Sequence, residues 1–303
     1  MGGATRDRLA ALQGKIANMI AGGMCTSPHD AAEVHANLLP FHLLVDKVRH
    51  RAAIQLATLP STHPLYKPVR DTAARLVKTH PTPLHDLMHR YNIKPETMET
   101  IKAVREGPKW CPNVQIRINV TKEGAEEEER RRSGDHIQVY SDGSGIEGKI
   151  GAAAVLYRRG RKESSLRYQL GTDKTHTVYE GKGVGLVLGM ELIRREANTR
   201  KVSIGIDNQS GITAVLNIRP TLSHYIWDLF HKHVLVARKK HINLEILIRW
   251  TPGHTGIEGN KEADREAKRA AQEGSSPDGQ LPAALWKRLP DSKSAAKQAY
   301  MHQ

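Results

Sequence analysis

Tyr140-Ser141-Asp142-Gly143-Ser144-Gly145 ends a short apolar strand, marked by the alternating Ile137 and Val139, in a carboxylate and then turns on two glycines. The alternation is the period-two signature of a strand, and the turn presents Asp142 at the sheet edge. Outward from this point a domain can be laid out. Gly151 to Tyr157 and Leu166 to Leu170 read as two more strands joined by the basic turn Arg158-Arg159-Gly160-Arg161-Lys162, an antiparallel three-strand start. Thr177 and Glu180 have capping-box spacing and open a helix through Val184, Leu188, Leu192 and Ile193. Lys201 to Ile206 is a buried-type strand that stops at Asp207, and a helix through Ile212, Val215 and Leu216 follows. Leu222 to Ala237 reads as a longer helix, Leu244 to Trp250 as a strand and Asn260 to Ala271 as a last helix. A strand meander followed by alternating helices and strands predicts an α/β fold: a mixed five-stranded sheet flanked by helices, preceded by a mostly helical N-terminal region.

That region spans residues 1–120. Ser27-Pro28 with Asp30 and Glu33 marks a helix start. Val34, Leu38, Phe41, Leu44, Val45, Val48 and Ile54 recur at helical spacing, and Pro40 splits the run. Glu126 to Glu129 run directly into Arg130, Arg131 and Arg132, which reads as a charged linker over 121–135 and a domain boundary. The sheet domain then covers 136–272. Residues 273–303 read as a partly disordered tail, with enough apolar residues between Leu281 and Leu289 to dock as a short helix.

The 303 residues carry a net charge of +14, which favours a polyanionic partner through counterion release. Cys25 and Cys111 form neither a disulfide framework nor a zinc motif. No apolar run reaches membrane-spanning length and the start lacks the apolar core of a secretory signal, so an intracellular protein of nucleus or cytoplasm, without a membrane, is expected. His85 and His89 are four apart, but His-Asp-Leu-Met-His lacks the glutamate of a zinc protease and reads as ordinary helix.

Four acids stand in distinctive contexts: Asp142 and Asp207 at strand ends, Glu180 and Asp264 in the early turns of helices. Phosphodiester hydrolysis needs an activated water, a stabilised leaving oxygen and neutralised phosphate charge, and two divalent ions about 3.5–4 Å apart can supply all three. Mg²⁺ prefers a few carboxylates over thiolates, and acids packed together raise one another's pKa until a cation arrives. Gly181, Gly183, Gly185 and Gly189 in the helix after Thr177 read as a close approach of helix to sheet, since no phosphate loop precedes them.

Residues 136–272 resemble the type 1 ribonuclease H domain. The resemblance rests on Tyr-Ser-Asp-Gly-Ser, the glutamate opening the first helix, Ile-Asp-Asn-Gln, and the run Thr251-Pro252-Gly253-His254-Thr255-Gly256-Ile257-Glu258-Gly259-Asn260-Lys261-Glu262-Ala263-Asp264. It implies that Asp142, Glu180, Asp207 and Asp264 hold two Mg²⁺ ions, with Mn²⁺ a substitute, and that His254 assists proton transfer or product departure. The implied substrate is the RNA strand of an RNA/DNA hybrid, cut without a small-molecule cofactor. Thr175 takes the place of a threonine touching a DNA phosphate, and Asn208, Arg158 and Lys239 are further candidate contacts. His176 and Thr177 stand where cellular members of the family often carry an Asn-Gln pair.

The N-terminal region and Thr177-Val178-Tyr179-Glu180-Gly181 also resemble the segment between polymerase and nuclease domains in reverse transcriptases of fungal non-LTR retrotransposons. The chain has no Tyr-x-Asp-Asp signature, so polymerisation is not expected. The alternatives are a noncatalytic nucleic-acid-binding relic and a related metal nuclease with another substrate. Oligomeric state stays open.

Overall fold

The computed structural model describes residues 3–107, 110–132, 137–253 and 256–301. The chain divides into two compact units, Met1–Ala57 with Pro64–Pro95, and Thr58–His63 with Glu96–Gln303. The first unit is helical: α1 (Gly3–Ala21), α2 (His29–His35), α3 (Phe41–Ala57), α4 (Tyr66–Ala74) and α5 (Pro83–Arg90). Pro40 falls between α2 and α3, where a proline splits a helical run. Pro83 opens α5 behind Thr82, whose side chain accepts from the His85 backbone N–H at 3.4 Å. Ala53, Val69 and Met88 form this unit's small core. His89 Nε2 lies 2.9 Å from the Arg75 carbonyl and His85 Nδ1 lies 2.7 Å from Thr82 Oγ1, so both histidines serve the helix.

The second unit is built on a sheet of six strands: β1 (Gln115–Arg117), β2 (Ile137–Ile146), β3 (Lys149–Arg158), β4 (Arg161–Thr172), β5 (Lys201–Ile206) and β6 (Glu245–Trp250), in the order β1-β6-β5-β2-β3-β4. β2, β3 and β4 form the antiparallel meander, while β5 runs parallel to β2 and β6 parallel to β5. Five of these match the strands expected from the alternation. The sixth, β1, pairs parallel with β6 from Gln115 opposite Leu247, and three residues are too short to show a period.

Alternate residues of the strands feed two cores. Ile137, Val139, Ala152, Ala154 and Leu156 join the large cluster with α7 (Val178–Arg195) and α9 (His224–Lys240), whereas Tyr140, Val155 and Tyr157 pack with Ala263 of α10 (Glu258–Glu273) on the other face. The remaining helix of this region, α8 (Gln209–Val215), follows β5. Each fully buried Val, Leu or Ile side chain among them contributes about 1.5–3 kcal/mol. The glycines of α7 do let helix and sheet backbones meet: a Cβ on Gly185 would stand 2.9 Å from the Asp142 carbonyl oxygen, and one on Gly143 only 2.3 Å from the Lys182 backbone nitrogen. Any side chain at Gly143 would therefore push α7 off β2.

The charged run is not a linker. Residues Lys122–Arg132 form a helix, α6, and its acids fasten it to the sheet unit. Glu128 accepts from Arg117 and Asn119 at 2.9 Å each, and Glu129 pairs with the buried Arg249 and accepts from the Tyr140 hydroxyl. Arg249 completes the triangle by donating to the Tyr140 oxygen at 3.3 Å. Nor do the compact units part at 121–135, because residues 96–120 belong with the sheet: Ile101 N–H donates to the Thr58 carbonyl at 2.9 Å, and Glu99 is fully buried. The C-terminal segment is docked as well. Leu281, Leu285 and Leu289 join the large core, and a helix, α11 (Lys293–Met301), follows.

Arg249 is 2% exposed and Glu129 13% exposed at the side chain, so this ion pair is shielded from water. Removing one member strands the other, which costs about 3–5 kcal/mol in buried pairs. Glu129→Ala is expected to lower the unfolding free energy read from urea denaturation by that measure, and Glu127→Ala, whose partners Arg130 and Arg131 are exposed, to lower it far less.

Candidate active site

Asp142 sits in β2 opposite Ala153 of β3, and Asp207 directly follows β5, the parallel neighbour of β2. The strand order therefore brings the two carboxylates together. Asp142 is 5% exposed, and its Oδ1 accepts from the Gly143 backbone N–H at 2.7 Å. Asp207 is held by its backbone, with the Trp250 indole donating to its carbonyl at 3.1 Å. Between the two carboxylates lies the ammonium of Lys182, donating to Asp142 Oδ1 at 2.8 Å and to Asp207 Oδ1 at 2.5 Å. Burial alone would lower the lysine's pKa, but the Asp142 charge and hydrogen bonds to both aspartates outweigh it and raise it, so the group stays charged. Asp142 is pushed upward by burial and by the Asp207 charge, with Lys182 acting in the opposite sense.

Glu180 is not part of this group. Successive residues of an α-helix are about 100° apart, so positions two apart point to opposed sides. With α7 pressed on β2 through its glycines, Lys182 takes the flank beside Asp142 and Glu180 takes the other. There Glu180 Oε2 accepts from the Thr177 backbone N–H at 2.8 Å, the reciprocal half of the capping box, and Oε1 accepts from Ser223 Oγ at 3.0 Å. Its side chain is fully buried. Burial pushes its pKa up to about 7, a shift reinforced by the charge of Glu99 and reduced by the bonds from Thr177, Ser223 and Ser292. Glu99 itself accepts from the Ser223 and Lys293 backbone N–H groups at 2.7 and 2.8 Å. His176 lies 4.0 Å from Glu180 and is buried, with its pKa lowered to about 4 by desolvation, so it faces the interior.

Asp264 lies on α10, with its side chain 38% exposed and paired to Lys268 at 2.7 Å. His254 falls outside the described residues. The neighbouring Gly253 lies against the site, since a Cβ there would stand 3.9 Å from Asp207 Oδ2. Asn208 caps α8 by accepting from the Ser210 N–H at 3.0 Å. Thr175 Oγ1 donates to the Thr172 carbonyl at 3.0 Å, and Arg158 pairs with Glu196. Lys239 is exposed near the end of α9.

Among the described residues, no group of three or more His, Cys, Asp or Glu side chains is gathered closely enough to hold a metal ion. The donor set explains why. One acid of the expected quartet is committed to a helix cap, and the two that meet already share a protein cation. Asp142 and Asp207 suit a hard cation, but the arrangement does not fit two divalent ions. Lys182 and Ser223 were not read from the sequence. The available signal was Glu180's double assignment, because a carboxylate closing a capping box is turned back on its own helix.

Residues 134–272 match the family model for RNase H. The fold of that segment, a mixed sheet flanked by helices, is RNase H-like. Solved structures similar to this chain include RNase H1 from the halophilic archaeon Halobacterium salinarum, at 18% identity and a TM-score of 0.35, covering 46% of this chain and 98% of that one. The N-terminal RNase H domain of a Mycobacterium tuberculosis protein is 14% identical with a TM-score of 0.36, covering 45% and 96%. LC11-RNase H1, in complex with an RNA/DNA hybrid, is 14% identical with a TM-score of 0.37, covering 45% and 97%. No curated protein matches the chain.

Glu180 links site geometry to pH. Its folded pKa of about 7 exceeds the ordinary 4.5, so the folded state binds the proton more tightly. The stability associated with that proton is fully present below the ordinary value and is lost as pH rises through the folded one. Glu180→Gln, which keeps the cap acceptor and carries no charge, is expected to match the wild type near pH 4. By about pH 8 it should be more stable by about 3 kcal/mol, because each tenfold difference in proton affinity between folded and unfolded states is worth about 1.4 kcal/mol. Urea unfolding across that range checks this, and a Gln variant that is less stable at alkaline pH contradicts it.

Proposed function

We propose that the chain acts on RNA/DNA hybrids through its RNase H-like domain and hydrolyses phosphodiester bonds of the RNA strand. The observation that carries this reading is the family-model match over residues 134–272, with Asp142 of β2 and Asp207, just past the end of the neighbouring β5, sharing one ammonium inside that segment. A pair of carboxylates able to hold a divalent cation is one element of such chemistry. The net charge of +14 supports a nucleic-acid partner. Arg159, Arg161 and Lys239 are exposed for backbone contacts, whereas Arg158 is engaged by Glu196. A retroelement origin rests on the resemblance of the N-terminal region and of residues 177–181 alone.

One observation favours a second reading, hybrid binding without cleavage: the ammonium between Asp142 and Asp207 stands where hydrolysis calls for a divalent ion. A single experiment separates the two. The full chain is incubated with labelled RNA/DNA hybrid, duplex DNA and single-stranded RNA over a range of Mg²⁺ and Mn²⁺ concentrations, with Asp207→Asn alongside. Hydrolysis is expected on the hybrid alone and is expected to vanish in Asp207→Asn. Tight hybrid binding by folded protein with an uncut RNA strand selects the second reading, and indifference among the three ligands contradicts both.

A further inference from the structure

We propose that Lys182 is a built-in cation that competes with divalent ions for the seat between Asp142 and Asp207. The proposal deepens the reading above and rests on the same carboxylate pair.

The geometry supports it from three directions. The contacts are direct, at 2.8 and 2.5 Å, and the ammonium bridges one oxygen of each carboxylate. The seat is partly dry: the side chains of Asp142, Lys182 and Asp207 are 7%, 20% and 24% exposed. Attraction between these charges is therefore screened less than it would be on an open surface. The lysine is also fixed at its root, since the Lys182 backbone nitrogen lies where a Gly143 side chain would otherwise sit. A lysine so anchored reaches the carboxylates without moving the helix.

Two carboxylates and one ammonium leave a single net negative charge. A divalent ion entering this seat must either expel the ammonium or share the pair with it at the cost of like-charge repulsion. Asp142 also receives the Gly143 N–H, so one of its oxygens is already doubly engaged. Glu180 supplies no replacement, because it is turned to Thr177 and Ser223. Divalent-ion affinity is thus set by a residue that bears no ligand atom for a metal. Any cleavage by the wild type then requires high metal concentrations.

The test is Mn²⁺ titration of the full chain in the absence of nucleic acid, with free Mn²⁺ read by electron paramagnetic resonance. Lys182→Gln is expected to bind Mn²⁺ at least about ten-fold more tightly than the wild type, as removal of a directly competing charge demands. Lys182→Arg, which retains the charge, should stay as weak as the wild type. Equal affinities in folded wild type and Lys182→Gln overturn the proposal. If Lys182→Gln does not fold, Lys182→Glu replaces it: its melting temperature should rise with Mn²⁺ more than that of the wild type, and an equal rise overturns the proposal. Hybrid binding by the wild type in chelator is measured separately, so loss of the hybrid reading and loss of the competition are distinguished.

Discussion

The backbone of α7 touches the backbone of β2, and the site depends on that contact. Glycines on both elements allow it, Gly143 in the strand and Gly185 in the helix, each facing backbone atoms of its partner at distances no side chain tolerates. Once the helix is pressed there, its rotation is set. Lys182 must lie beside Asp142 and Glu180 must lie away from it. The four glycines weaken α7 as an isolated helix, by about 0.5–1 kcal/mol each relative to alanine. Burial of Val184, Leu186, Val187, Leu188, Met190 and Ile193, together with the capping box, offsets this.

Charges inside the sheet unit follow one rule: each is partnered or carries a shifted pKa. Glu129 and Arg249 satisfy each other beside Tyr140 and thereby hold α6 to the sheet. Glu180 and Glu99 lie near the N-terminus of α9, where backbone N–H groups and the helix dipole favour negative charge. Even so, burial raises both pKa values. That environment suits a structural clasp joining residues 96–101, α9 and α11 better than a metal ligand.

Much of the fold was legible because its signals are local. The alternation around Val139, the apolar run before Asp207 and the capping box at Thr177 each state their element within a few residues. β1 was not legible, since Gln115, Ile116 and Arg117 become a strand only by pairing with β6. The acids of α6 read as solvated because charge runs are usually exposed, and the partner that buries one of them, Arg249, lies 120 residues away. In the site, the strand end before Asp207 was read correctly, but Asp142 does not end its strand: β2 continues through Gly143 and Gly145 to Ile146, and the two aspartates meet because β2 and β5 are parallel neighbours. Glu180 was misplaced through helix phase, which sequence spacing fixes only when the face touching the sheet is known. The glycines Gly181, Gly185 and Gly189 mark that face.

The cation seat is graded in depth. Asp142 is buried and anchored by a backbone donor, while Asp207 lies nearer the surface with Gly253 beside its carboxylate. A monovalent ammonium is enough to hold such a pair, because the pair's mutual repulsion is the main unfavourable term and one positive charge between the carboxylates cancels it. A free divalent ion would neutralise the pair fully, yet it must shed water to enter and must displace a tethered competitor whose effective concentration never dilutes. Tethering therefore decides the contest in favour of the weaker charge unless further negative groups join the seat. Phosphate oxygens are groups of the chemistry able to do so.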